Sequence, residues 1–202
     1  LAPPRVRVPR RARARPGGGY DDPVFFSPMT EHFVVDANGD GLPDMVVVRY
    51  VSSQAGTIHA ILASRDHLLE GSRDFLFLLG RAASGDLEPG GGSELALYEP
   101  AARSVSIVVS GASRRLAVAR TAAAPAGLSR DAAVFPEIAD YDGDGRRDLL
   151  LLADGTLYGY RNLGGLELAA PAALVDDVPG YALAAPDLDR DGVTDLLVSG
   201  FS

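Results

Sequence analysis

The chain has 202 residues, enough for a sizeable core and one or two ordinary domains. It has no cysteine, which excludes a disulfide framework and a zinc–thiolate site. The formal charge is −8, and an acidic body argues against a nucleic-acid-binding surface. No apolar run reaches membrane-spanning length, and the basic N-terminal stretch has no apolar segment after it, so no signal peptide is visible.

Residues 1–19 are rich in Pro, Arg and Gly, with six arginines and no acid. Such a composition reads as a disordered basic linker or the tail of a preceding domain. A basic arm for an anionic partner is the sharper alternative. Val6 and Val8 alternate with Arg, which also fits a short edge strand. The rest of the chain carries 13 arginines against 27 acids.

From residue 20 the sequence repeats. A short predicted strand, His32–Val35, leads into Asp36-Ala37-Asn38-Gly39-Asp40-Gly41-Leu42-Pro43-Asp44. Oxygen-bearing side chains stand at positions 1, 3, 5 and 9 of this nonapeptide, and a glycine at position 6 permits the turn. The same arrangement returns at Asp140-Tyr141-Asp142-Gly143-Asp144-Gly145-Arg146-Arg147-Asp148 and at Asp187-Leu188-Asp189-Arg190-Asp191-Gly192-Val193-Thr194-Asp195. A degenerate copy, residues 86–94, keeps acids at Asp86, Glu88 and Glu94 and a glycine at Gly91, but has Gly90 at position 5. The copies begin 50, 54 and 47 residues apart. A period of that length indicates one supersecondary unit stacked on its neighbours.

Four carboxylates converging in one shell repel by about 1–4 kcal/mol per pair at 4 Å. A hard cation removes that repulsion, and an all-oxygen shell on a flexible loop suits Ca²⁺ better than Mg²⁺. The sequence therefore predicts about three calcium sites, which would bring the formal −8 to −2. The loop at Asp86 lacks one ligand, and a structural role is expected for it.

Each loop precedes an apolar run: Met45–Val48, Leu95–Tyr98, Leu149–Leu152 and Leu196–Val198. Runs without alternation predict strands covered on both faces. Asp154-Gly155 then predicts a tight hairpin into Thr156–Arg161. The matching strands elsewhere are Thr57–Leu62 and Val105–Val109. Fourth strands are predicted at Phe75–Leu79 and Leu116–Val118, and strands before the well-formed loops at Val134–Ala139 and Tyr181–Ala185. Four antiparallel strands per 47–54 residues describe a propeller blade. An EF-hand is excluded, because position 12 is Val47, Leu151 or Val198 instead of a bidentate Glu and the flanks are not helical.

The pattern Asp-x-Asp-x-Asp-Gly-x-x-Asp-Leu, recurring about every 50 residues, resembles the FG-GAP/VCBS-type repeats of integrin-α-like β-propellers. The segment Thr156–Leu166, with its Asn-x-Gly turn, is also similar to that family. The resemblance runs over about residues 30–200. It implies an all-β chain of β-propeller blades over residues 20–202, each about four strands, in a partial or small propeller. In the family the acidic loop joins the first and second strands of a blade and binds Ca²⁺. The implied ligands are Asp36, Asn38, Asp40, the Leu42 carbonyl and Asp44; then Asp140, Asp142, Asp144, the Arg146 carbonyl and Asp148; then Asp187, Asp189, Asp191, the Val193 carbonyl and Asp195. Family rings usually have more blades than this chain supplies. The chain is then either part of a larger ring, with further blades outside it, or a small ring whose last sheet borrows an N-terminal strand such as Val24–Ser27.

Catalytic signals are sparse. Of the three histidines, His32 and His59 fall on predicted strands, where wall or surface positions are the default for His; His67 is the third. There is no nucleophile elbow, no metalloprotease His pair, and Gly90-Gly91-Gly92 precedes neither a helix nor a lysine. Glu99, Glu137 and Asp154 are acids outside the loops, but nothing pairs them. The expectation is a non-enzymatic, calcium-stabilised extracellular or cell-surface module that binds a protein or carbohydrate, with no membrane span and no nucleic-acid partner. The alternative is an accessory or catalytic domain of a secreted polysaccharide-degrading enzyme, and a structural spacer is a third reading.

Overall fold

The structure, a computed structural model, describes residues 30–52, 55–63, 69–70, 75–76, 81–110, 116–129, 132–180, 182–189 and 194–199. The basic linker 1–19, the candidate strand Val24–Ser27, His67 and loop residues 190–193 lie outside them. All regular structure among the described residues is β, and no helix is long and apolar enough to cross a membrane.

Four antiparallel sheets follow one another in chain order. The first holds β1 (Thr30–Val35), β2 (Asp44–Ser52) and β3 (Ala55–Ala63), with two short pieces, β4 (Leu69–Glu70) and β5 (Phe75–Leu76), both on the outer edge of β3. The second is β6 (Ala82–Gly85), β7 (Glu94–Glu99), β8 (Ser104–Ser110) and β9 (Leu116–Ala123) in that spatial order. The third runs β10 (Val134–Ala139), β11 (Asp148–Ala153), β12 (Thr156–Tyr160). The chain then makes a small hairpin, β13 (Asn162–Gly164) with β14 (Glu167–Leu168), before β15 (Ala172–Val175) completes that sheet. The fourth sheet comprises β16 (Ala182–Ala184) and β17 (Leu197–Ser199).

The first strands of successive sheets, β1, β6, β10 and β16, lie side by side, so the sheets stack as blades around a common inner edge. The array is open: among the described residues no strand of the fourth sheet pairs with one of the first.

The apolar runs explain the stacking. In β11, Leu149 and Leu151 enter the cluster shared with the second sheet, where Ala96, Tyr98, Val105 and Ile107 meet them. Leu150 and Leu152 point the other way and pack with Leu183 and Val198 of the fourth sheet. All four leucines are at most 1% exposed. Period-two geometry thus turns one uninterrupted run into two separate cores, at about 1.5–3 kcal/mol per buried side chain. The same rule places Val46 and Val48 against Leu95 and Leu97 between the first and second sheets. The fourth run differs. Val198 packs inward, but Leu197 is 53% exposed, because no further sheet covers its outer face among the described residues.

The Asp154-Gly155 hairpin forms as the sequence predicts, with φ of 48° and 78° and Ala153 paired to Thr156. Positive φ at both central residues is the requirement of a type I′ turn. Besides the short pieces β4, β13 and β14, two strands were not foreseen. One is β6 before the degenerate loop; its Ala-Ala-Ser-Gly sequence carries little strand propensity, and packing decides it. The other is β15, whose four residues are all exposed. His32 and His59 lie on β1 and β3.

Candidate metal centres

The first three acidic loops join the first and second strand of a sheet, with the ninth residue opening the second strand; in the fourth sheet Asp195 stands two residues before β17. Asp44, Glu94 and Asp148 are almost fully buried there. Each accepts a hydrogen bond from the amide at the loop's second position. Ala37 N donates to Asp44 Oδ2 at 3.0 Å, Leu87 N to Glu94 Oε2 at 2.7 Å, and Tyr141 N to Asp148 Oδ2 at 3.3 Å. In the fourth sheet Leu188 N donates to Asp195 Oδ2 at 2.8 Å. The ninth-position acid therefore closes each loop through its backbone before any cation is considered.

The first-position acid curls the loop. Asp140 accepts from Gly143 N and Gly145 N, both at 2.8 Å. Asp36 accepts from Asp40 N at 3.0 Å and Gly41 N at 2.7 Å. Asp142 and Asp144 each accept an amide two residues on, as do Asn38 and Asp40. This succession of Asx turns needs positive φ at positions 4 and 6, which Gly39, Gly41, Gly143 and Gly145 supply.

Two loops bring three carboxylates together. Asp140, Asp142 and Asp148 each place an oxygen within 4.8 Å of the others, and so do Asp187, Asp189 and Asp195. Oxygens around one calcium lie about 2.3–2.6 Å from it, so such a group spans a single ion. The donor set is all oxygen and mostly anionic, which fits a hard divalent cation. In the 140–148 loop, burial pushes the Asp148 carboxyl above its usual value. The amides of Asn162 and Tyr141 oppose that shift, and the charges of Asp142 and Asp144 add to it. A cation there would relieve the repulsion. Asp144 stands outside the group and meets Arg161. In the first loop, Asn38 Nδ2 donates to Asp40 Oδ2 at 3.1 Å, and Asp36, Asp40 and Asp44 are not grouped in the same way. Asp191 and Val193 lie outside the described residues.

The degenerate loop is built into its neighbours instead. Ser93 N donates to Asp36 O at 2.7 Å, towards the first sheet. Towards the third, Gly165 N donates to Glu88 Oε2 at 2.7 Å, and Asn162 Nδ2 donates to Leu87 O at 2.7 Å. Positive φ falls at Gly90 and Gly92, not at the expected sixth position, Gly91.

Glu94 offers a pH test. Burial raises its carboxyl above the ordinary value of 4.5, against the two loop amides that lower it. The folded state therefore holds this proton more tightly than the unfolded chain. Its stabilising contribution is complete below pH 4.5 and is lost as pH rises through the raised value. Glu94→Gln keeps an acceptor and removes the titration. Melting curves taken from acid to neutral pH should show wild type losing stability relative to the variant as pH rises; parallel curves would contradict the assignment.

Stacked antiparallel sheets, two of them four-stranded, each with an acidic turn between its first two strands, define a β-propeller-type repeat protein. Residues 140–198 match the model of the FG-GAP-like repeat, so this part of the chain is an FG-GAP-type repeat. No curated protein sequence matches significantly. Among solved structures the chain is similar to an Agrocybe aegerita lectin, described as recognising non-reducing terminal N-acetylglucosamine. The TM-score is 0.54 at 14% identity, over 83% of this chain and 46% of the lectin. This chain thus spans less than half of that structure's length.

Proposed function

We propose that this protein is a calcium-stabilised extracellular β-propeller module that binds a carbohydrate or protein ligand. The observation that carries the reading is the grouping of three carboxylates at the same point of the third and fourth sheets, Asp140/Asp142/Asp148 and Asp187/Asp189/Asp195. The proposed ligand sets are completed by Asp144 and the Arg146 carbonyl in one loop and by Asp191 and the Val193 carbonyl in the other. Asp36, Asn38, Asp40, the Leu42 carbonyl and Asp44 form a third site once Asp40 turns from Asn38. Calcium here neutralises acidic loops and fixes the first two strands of each blade. Sites on exposed loops suit the millimolar calcium found outside cells. Ligand binding falls to the loops at the rim of the blades. The lectin likeness supports a glycan as the first ligand to try.

Chelation tests the metal. With free calcium at about 100 times its dissociation constant, each site adds about 2.7 kcal/mol. EDTA should lower the melting temperature by several degrees, and calcium should restore it; a melt indifferent to both would refute calcium binding. A glycan array that includes terminal N-acetylglucosamine, read with and without calcium, tests the ligand. An array with no binder would favour a protein ligand.

A further inference from the structure

We propose that Arg161 is a built-in counter-cation of the 140–148 loop, holding it folded without metal and weakening its affinity for a divalent ion. The proposal rests on the metal reading of that loop. Arg161 Nε lies 2.9 Å from Asp142 Oδ2, and its second guanidinium nitrogen lies 3.5 Å from Asp144 Oδ2. The other oxygen of each carboxylate already accepts a loop amide. Both oxygens of each acid at positions 3 and 5 thus already meet a partner, with one positive charge standing where two would enter.

Among the first three sheets, strand register gives this cation to the third alone. Tyr160 pairs with Leu149, the residue after the ninth-position acid, and Arg161 follows Tyr160. In the first sheet Ile61 pairs with Met45, so the counterpart of Arg161 is Leu62. In the second, Val108 pairs with Leu95, and the counterpart is Val109. Neither can neutralise a carboxylate. Arg161 is also held in place, because the next residue, Asn162, is buried and bonded to Asp148 through its amide at 2.7 Å. A guanidinium cannot deprotonate to leave, so an incoming cation must either displace it or bind beside it. Both lower affinity.

Loop position 2 supplies the probe. Tyr141 sits within this loop, whereas the other loops carry Ala37, Leu87 and Leu188 there. Tyrosine-sensitised terbium emission therefore reports this loop, and Tyr141→Phe should abolish it. Calcium competition against terbium is then measured on wild type and Arg161→Leu. The variant should bind calcium about tenfold more tightly at low ionic strength. Arg161→Lys should stay near wild type. In EDTA, Arg161→Leu should melt below wild type, and in excess calcium it should not. Unchanged or weaker calcium binding by Arg161→Leu overturns the proposal. Absence of sensitised emission in wild type overturns the metal reading itself.

Discussion

Asn162→Leu should lower the unfolding free energy by about 3–5 kcal/mol, measured by urea denaturation at fixed calcium. Asn162 is 1% exposed, and its side chain makes three hydrogen bonds. Nδ2 donates to Leu87 O at 2.7 Å and to Arg147 O at 2.8 Å, and Oδ1 accepts from Gly164 N at 2.9 Å. Leucine keeps the volume but leaves three backbone groups, one buried and two part-buried, without this partner, at about 1–3 kcal/mol each. The loss is not confined to one sheet, because the Leu87 bond crosses from the third sheet to the loop of the second. Asn162→Asp should be comparably harmful: it keeps the acceptor, loses both donors, and sets a second charge beside Asp148. A loss under about 1 kcal/mol would mean that these groups find water instead.

Gly92→Ala should cost about 3 kcal/mol or more, which is unusual for an alanine substitution in a loop. Its φ is +96°, where a side chain is strained. An added Cβ would also stand 2.8 Å from Asp36 O and 2.8 Å from Gly39 N. Both are backbone atoms of the first sheet's loop, so no rotamer change relieves the contact. The Ser93–Asp36 hydrogen bond would open with it. Gly90→Ala is the control: φ is +89°, yet nothing lies within 4 Å. It should cost only about 1 kcal/mol for the backbone strain alone. Equal losses for the two variants would show that the neighbouring loop gives way freely.

Most of the blade pattern was legible because it rests on local chemistry. The nonapeptide spacing located the turns between first and second strands, and Leu149–Leu152 announced a strand packed on both sides. Gly143 was not singled out, since only the sixth-position glycine was weighed; the need for positive φ at the fourth position follows from the Asx turns, which appear only with the fold. Asn162 entered as part of an Asn-x-Gly turn, and its reach to Leu87 O could not be read from sequence, because the two residues are 75 apart in the chain. Arg161 was missed as a loop partner for the same reason: its pairing with Asp142 depends on strand register.

Each described sheet is assembled from one unbroken stretch of chain. A nascent polypeptide can consequently complete one sheet while the next is still being synthesised, with no strand waiting for a distant partner. Contacts of short sequence separation favour rapid formation within a sheet. The slow, order-determining event is then the docking of successive sheets, and an interrupted synthesis would leave the leucine-rich face of the last finished sheet bare to other chains.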